Sequence, residues 1–204
     1  MHVITHLLSG WLVAEGLRRD KTERAVCAWA AVAPDLDGLG MVVDWANRVA
    51  GRAQTSYYET FHHMWGHGLT AAVLIAAIAG LATRRFAAAV LAFAMVHLHL
   101  LFDLLGSRGS DPTDVWPVYY LEPLSHALTL HWSGQWPLTG WQNTAISVLL
   151  LALVFVVAVV RERSPLELFN AAADRAFVRT VQKRWQAMRI RWPRKDCLQD
   201  NDRS

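Results

Sequence analysis

Nine histidines fall within 204 residues, and most of them are grouped with one another or with aspartates. His2 and His6, His63 and His67, and His99 and Asp103 are each four residues apart. On a helix that spacing puts both side chains on one face, where they can hold a single ion. Two further aspartates, Asp35 and Asp37, follow a proline in "APDLDG", and His62 precedes His63 in "FHHMWGHG". Neutral imidazoles with carboxylates make a borderline donor set that suits Zn²⁺, with Mn²⁺ or Fe²⁺ as alternatives. Four to six such donors suffice for one or two ions. A carboxylate shared by two ions, the part Asp103 would play, holds them roughly 3.5–4 Å apart and lowers the pKa of a water between them. His97 points away from the His99–Asp103 face and reads as an ordinary buried histidine. "PDLDG" taken alone is equally a helix break and cap.

The elements that must position these residues are apolar helices. Hydrophobic residues make up 53% of the chain and charged residues only 18%, against roughly 25% charged in soluble domains. Ten tryptophans add rings that favour a membrane interface. The stretch "TAISVLLLALVFVVAVV", residues 144–160, carries no charge and stops at Arg161 and Arg163, so it predicts a membrane span. Residues 86–105 predict a second, and residues 68–82 a third that is short for a full crossing. Residues 3–17 and 25–43 are apolar but interrupted, and fit partial or re-entrant helices, whose irregular backbone must be buried in protein or line a wet cavity. The fold class expected is therefore all-α, with three to five membrane-embedded helices and no strands.

If all five segments cross and the tail is cytoplasmic, seventeen of the twenty Lys and Arg fall on the inner side and three, Arg48, Arg52 and Arg108, on the outer. That asymmetry favours this orientation. It would gather His2, His6, Asp35, Asp37, His67, His99 and Asp103 near the outer ends of their helices. The first segment lacks the basic start of a leader and reads as part of the mature protein. Cys27 and Cys197 match neither a disulfide framework nor a metal-binding pair.

Residues 1–163 form the expected membrane-embedded domain and 164–204 a basic appendage. There Ser164, Pro165 and Glu167 look like a helix start. Apolar residues from Phe169 to Trp192 recur at three- and four-residue steps among Arg175, Arg179, Lys183 and Arg191. A basic amphipathic helix lying on the anionic inner leaflet is predicted, with a helix docked on a partner protein as the alternative.

The ordered set "THLLSG", "PDLDG", "HHMWGHGL", "HLHLLFDLLGSRG" and "VWP" resembles the YdjM-like family of membrane-bound metal-dependent hydrolases over about residues 1–120. The resemblance implies a bacterial inner-membrane location and a metal site. It implies His6 as the first histidine and Asp35 and Asp37 as the PDxD pair. It also places His62 and His67 at the two ends of an HRGxTH-type motif, His99 and Asp103 at HxxxD, and Trp116 and Pro117 at WP. His63, Met64 and Gly66 stand where the family pattern has Arg, Gly and Thr, which leaves His63 a possible additional ligand. The same order is also similar to the first part of the zinc-dependent phospholipase C and P1 nuclease group, whose later HxxxE pair has no counterpart here.

The function expected is hydrolysis of a phosphoester or other ester of a membrane-associated substrate by metal-activated water. His6, His67, His99 and Asp103 would ligate, and one of Asp35 and Asp37 would ligate while the other orients or deprotonates the water. His62 would be a ligand or support one. Trp116, Tyr119 and Tyr120, with Trp132, would form a substrate rim or an interfacial belt. No nucleic-acid partner is expected. The alternative is a non-catalytic membrane protein that binds or moves a metal, or uses it as a staple; a third reading is an anchoring subunit whose tail docks a partner.

Overall fold

The structure is a computed structural model, which describes residues 1–58 and 66–191. Its elements are α1 (Val3–Gly16), α2 (Lys21–Ala30), a 3-10 helix (Ala33–Leu39), α3 (Gly40–Val49), α4 (Leu69–Thr83), α5 (Phe86–Gly106), α6 (Trp141–Arg161), a second 3-10 turn (Pro165–Leu168) and α7 (Ala171–Arg191). Two-residue strands, β1 (Val118–Tyr119) and β2 (Thr129–Leu130), pair antiparallel inside the 106–141 loop. That hairpin departs from the strand-free expectation, because two residues a side leave no periodicity to read.

Three of the boundaries have a clear local cause. Asp20 caps α2 by accepting from the Glu23 amide at 2.9 Å, and Pro34 sits at the start of the 3-10 helix that interrupts the second apolar segment. Arg84 adopts a left-handed φ of 55° at the end of α4, which turns the chain into α5. At 21 residues, α5 and α6 each reach about 31 Å, matching the hydrocarbon thickness of a bilayer. They are the two described helices long and apolar enough to cross a membrane. A third candidate is α2 with Ala33–Val49, bent by 43° at the break. At 14 and 15 residues, α1 and α4 fall short of the roughly 20 a full crossing needs.

By contacts the chain divides into Met1–Leu150 and Leu151–Ser204. In the first unit α1 packs on α2, α2 on α5, and α5 on α4. Small residues allow the close approach: a Cβ at Gly10 would lie 2.4 Å from the Cys27 carbonyl oxygen, as in tightly packed membrane helices. One core joins Ala14, Cys27, Ala31, Ala92 and Met95. Another joins Ala72, Val96, Leu100 and Val118, and so ties the hairpin to α4 and α5.

In the second unit the predicted helix start shifts. Ser164 opens the 3-10 turn, while the Asn170 side chain accepts from the Ala172 and Ala173 amides at 2.8 and 3.1 Å and starts α7. Ser164 instead gives its amide and hydroxyl to Asp174 Oδ1, at 2.8 and 2.6 Å.

Candidate metal centre

Four segments meet at the C-terminal end of α5. The His99 and Asp103 side chains project from one face of α5, with His99 Nε2 2.9 Å from Asp103 Oδ2. From α1 comes His6, fully buried, its ring stacked on His99 at 3.8 Å between centroids and its Nε2 3.3 Å from Asp103 Oδ1. His67, also fully buried, arrives from the turn before α4. Its Nε2 lies 3.1 Å from His99 Nε2 and 3.4 Å from Asp103 Oδ2. Asp35, on the 3-10 helix, brings Oδ1 to 3.7 and 3.9 Å from the same two histidine nitrogens. One donor atom from each of His6, Asp35, His99 and Asp103 falls within 4.8 Å of the others.

The tautomers of two rings follow from their outer nitrogens. His99 Nδ1 donates to the Ala31 carbonyl, which can only accept, at 2.8 Å, and His67 Nδ1 faces Asp37 Oδ2 at 2.9 Å. Both neutral rings therefore direct an Nε2 lone pair inward. Two lone pairs 3.1 Å apart repel, and a cation or a proton between them removes the conflict. Burial works against a charged His67, yet Asp103 and Asp37 hold its pKa up at about 9. Both ring nitrogens of His6 and Oδ2 of Asp35 are buried without a hydrogen-bond partner. Buried polar atoms are normally paired, so these donors fit a site for a divalent cation.

Asp37 lies behind the cluster rather than in it. Its Oδ2 takes the Gly66 amide at 3.0 Å as well as the His67 ring, the carboxylate–histidine arrangement that orients metal-binding imidazoles. Gly66 explains one departure from the family pattern, since a Cβ there would lie 2.2 Å from the Pro34 carbonyl oxygen. His62 and His63 lie outside the described residues.

Beside the cluster is a cavity of about 360 Å³, lined by Asp35 and Asp103 and by Tyr58, Ser107, Trp116 and apolar residues such as Val42. Trp116 is the one expected rim residue that lines it. Tyr120 is instead 2.9 Å from His97 Nε2, and His97 Nδ1 donates to the Phe93 carbonyl at 2.8 Å, so His97 anchors the loop. Tyr119 is an exposed residue of β1.

Three neighbours were not expected from sequence. The Ser107 hydroxyl donates to Asp103 Oδ1 at 2.9 Å, and its i+4 spacing from Asp103 was a readable sign. The Met1 amine contacts the same carboxylate oxygen. Tyr58 is set over the cavity by Asp44, whose carboxylate accepts from Thr55 Oγ1 at 2.6 Å and from the Tyr57 and Tyr58 amides at 3.0 and 2.9 Å. Burial, then the charges of Asp37, Asp35 and Asp103, raise the Tyr58 phenol pKa and keep its proton on at neutral pH. No sequence signal marks a lone tyrosine of this kind.

Among known families, the model of the YdjM inner membrane protein family matches residues 1–183. No curated protein and no solved structure matches the chain.

Proposed function

The chain belongs to the YdjM inner membrane protein family, and from that premise we propose that it is a membrane-bound metal-dependent hydrolase acting on a phosphoester or other ester of a membrane-associated substrate. The observation that carries the metal is the inward pairing of His67 and His99, each ring locked from behind, with their Nε2 atoms 3.1 Å apart. A tetrahedral zinc with bonds of about 2.05 Å spaces two ligand nitrogens by about 3.3 Å. Zn²⁺ is the proposed ion, one or two in number, with Mn²⁺ or Fe²⁺ as alternatives. His6, His67, His99, Asp103 and Asp35 would hold it. Asp103 presents Oδ1 toward His6 and Oδ2 toward His67 and His99, which suits a bridging carboxylate.

Bound there, a divalent ion supplies Lewis acidity toward the scissile ester oxygen and toward water. The protein's own groups do the rest. Asp35 Oδ2, unpartnered and beside the cavity, accepts the proton of the attacking water. The protonated Tyr58 phenol donates a hydrogen bond to the ester, and Ser107 keeps Asp103 in place. Val3, Leu39, Met41, Val42 and Leu138 line the cavity and hold the apolar part of the substrate, excluding water from the reacting groups.

The full chain, purified in detergent, is to be analysed for metal content and assayed on an aryl phosphoester and an aryl carboxylic ester with and without chelator. Stoichiometric metal and chelator-sensitive turnover that metal restores are expected. Metal without turnover across such a panel would refute the hydrolase and leave a structural staple. We also propose that the C-terminal segment is cytoplasmic, which a reporter fused after Ser204 checks; an external signal would invert the orientation.

A further inference from the structure

The second unit holds a groove that the proposed chemistry does not use. It lies between the last turns of α6 and the outer part of α7, with a volume of about 490 Å³. Phe155, Val156, Val160, Val181 and Met188 line it with Trp185, and Arg184 is its one charged lining residue. The groove is a feature of the fold rather than of one side chain. Phe155 packs on Phe177 with ring centroids 5.5 Å apart, and Asp174 fastens the turn through Ser164.

Two observations specify the occupant. Val156 and Val160 are more than half exposed and lie in the last two turns of a membrane-spanning helix that ends at Arg161. The groove is therefore at the depth where acyl chains meet headgroups. Residues 171–191 carry six Lys and Arg and one acidic residue, and Arg184 is the charged residue that lines the groove. A zwitterionic lipid would fill the apolar wall but leave that positive charge without a net counter-charge. We propose that this groove binds one anionic phospholipid, an acyl chain against Val156, Val160 and Met188 and its phosphate at Arg184. A cationic groove closed by apolar walls is how bundles retain anionic headgroups.

The site is distinct from a basic helix floating on a charged surface, because that reading gives every cation on α7 equal weight. Native mass spectrometry of the full chain, released from micelles holding equal amounts of phosphatidylglycerol and phosphatidylcholine, separates the two. At least fivefold preferential retention of phosphatidylglycerol is expected. Arg184→Gln should bring the ratio near one, while Arg179→Gln, off the groove, should leave it within twofold. Val181→Trp should lower retention of lipid altogether, with helicity checked by circular dichroism. Equal retention of the two lipids by the unaltered chain, or equal damage from Arg179→Gln and Arg184→Gln, would overturn the proposal. So would lipid-free dimers, which would show a second copy covering the groove.

Discussion

Asp37→Asn isolates the step that turns a buried histidine into a ligand. In the native chain Asp37 Oδ2 accepts from the Gly66 amide at 3.0 Å and from His67 Nδ1 at 2.9 Å, so the neutral His67 ring keeps its proton on Nδ1 and points its Nε2 lone pair at His99 and Asp103. Asparagine is nearly isosteric but uncharged: its Oδ1 can take the place of Oδ2 and accept both bonds, so the change removes the negative charge behind the ring that raises the basicity of His67 Nε2 as a ligand. Loss of such an outer carboxylate costs about 10- to 100-fold in metal affinity, or roughly 1.4–2.8 kcal/mol. Competition between the detergent-solubilised chain and a chelating dye for Zn²⁺ measures it. Asp37→Asn should fall in that range, and His67→Ala below it. An Asp37→Asn affinity within twofold of the unaltered chain would refute the role of the Asp37 charge in making His67 Nε2 a ligand.

Asp35→Asn, which alters a proposed ligand as well as the proposed base, should weaken metal binding at least as much as Asp37→Asn, yet with metal at saturation still lower turnover by about 10²–10⁴; full turnover at saturating metal would make Asp35 a ligand only. Gly66→Ala must displace either its own turn or the Pro34 carbonyl, 2.2 Å from the new Cβ, and should cost metal binding while leaving overall helicity; unchanged binding in a metal titration would count against the turn's role. Buried Asn143 donates to the Gly106 and Leu138 carbonyls, both at 2.8 Å, and accepts from Trp136 Nε1 at 2.8 Å. Asn143→Ala should therefore lower stability by about 2–3 kcal/mol in thermal unfolding, and a change below about 0.5 kcal/mol would show these groups re-paired. For pH, the His67 pKa is raised from 6.5 to about 9. Its contribution to the stability of the chelated protein is complete below about 6.5 and is lost as pH rises through about 9. A midpoint of unfolding that does not fall between pH 6.5 and 9.5 would contradict it. Metal must expel the same proton, so apparent affinity should climb toward pH 9.

Much of this protein is written locally. Apolar runs of about 20 residues, one charged only at Asp103 and one uncharged up to Arg161, announce α5 and α6, because a bilayer leaves a span no alternative to helix. The i, i+4 pairing of His99 with Asp103 follows from helical geometry alone, as does the separation of His97 from that face. Pro34 marks the break that carries Asp35 and Asp37. Other features depend on distant partners and have no local trace. Asp35 and Asp37 are two residues apart and chemically alike, yet Asp37 is taken up by the Gly66 amide and the His67 ring while Asp35 keeps an unpaired oxygen. That division exists only once the turn before α4 packs against the 3-10 helix. The Ala31 carbonyl that sets the His99 tautomer is invisible in sequence, since any residue type offers the same group. Tyr58 owes its place to Asp44, and its phenol pKa is raised by burial and by three carboxylates from two other segments. Tyr120, which the aromatic pattern groups with Trp116, is drawn off by His97. Residue types and helical periods settle which side chains are available and on which face; the packing of segments up to 100 residues apart decides which nitrogen or oxygen each one turns inward.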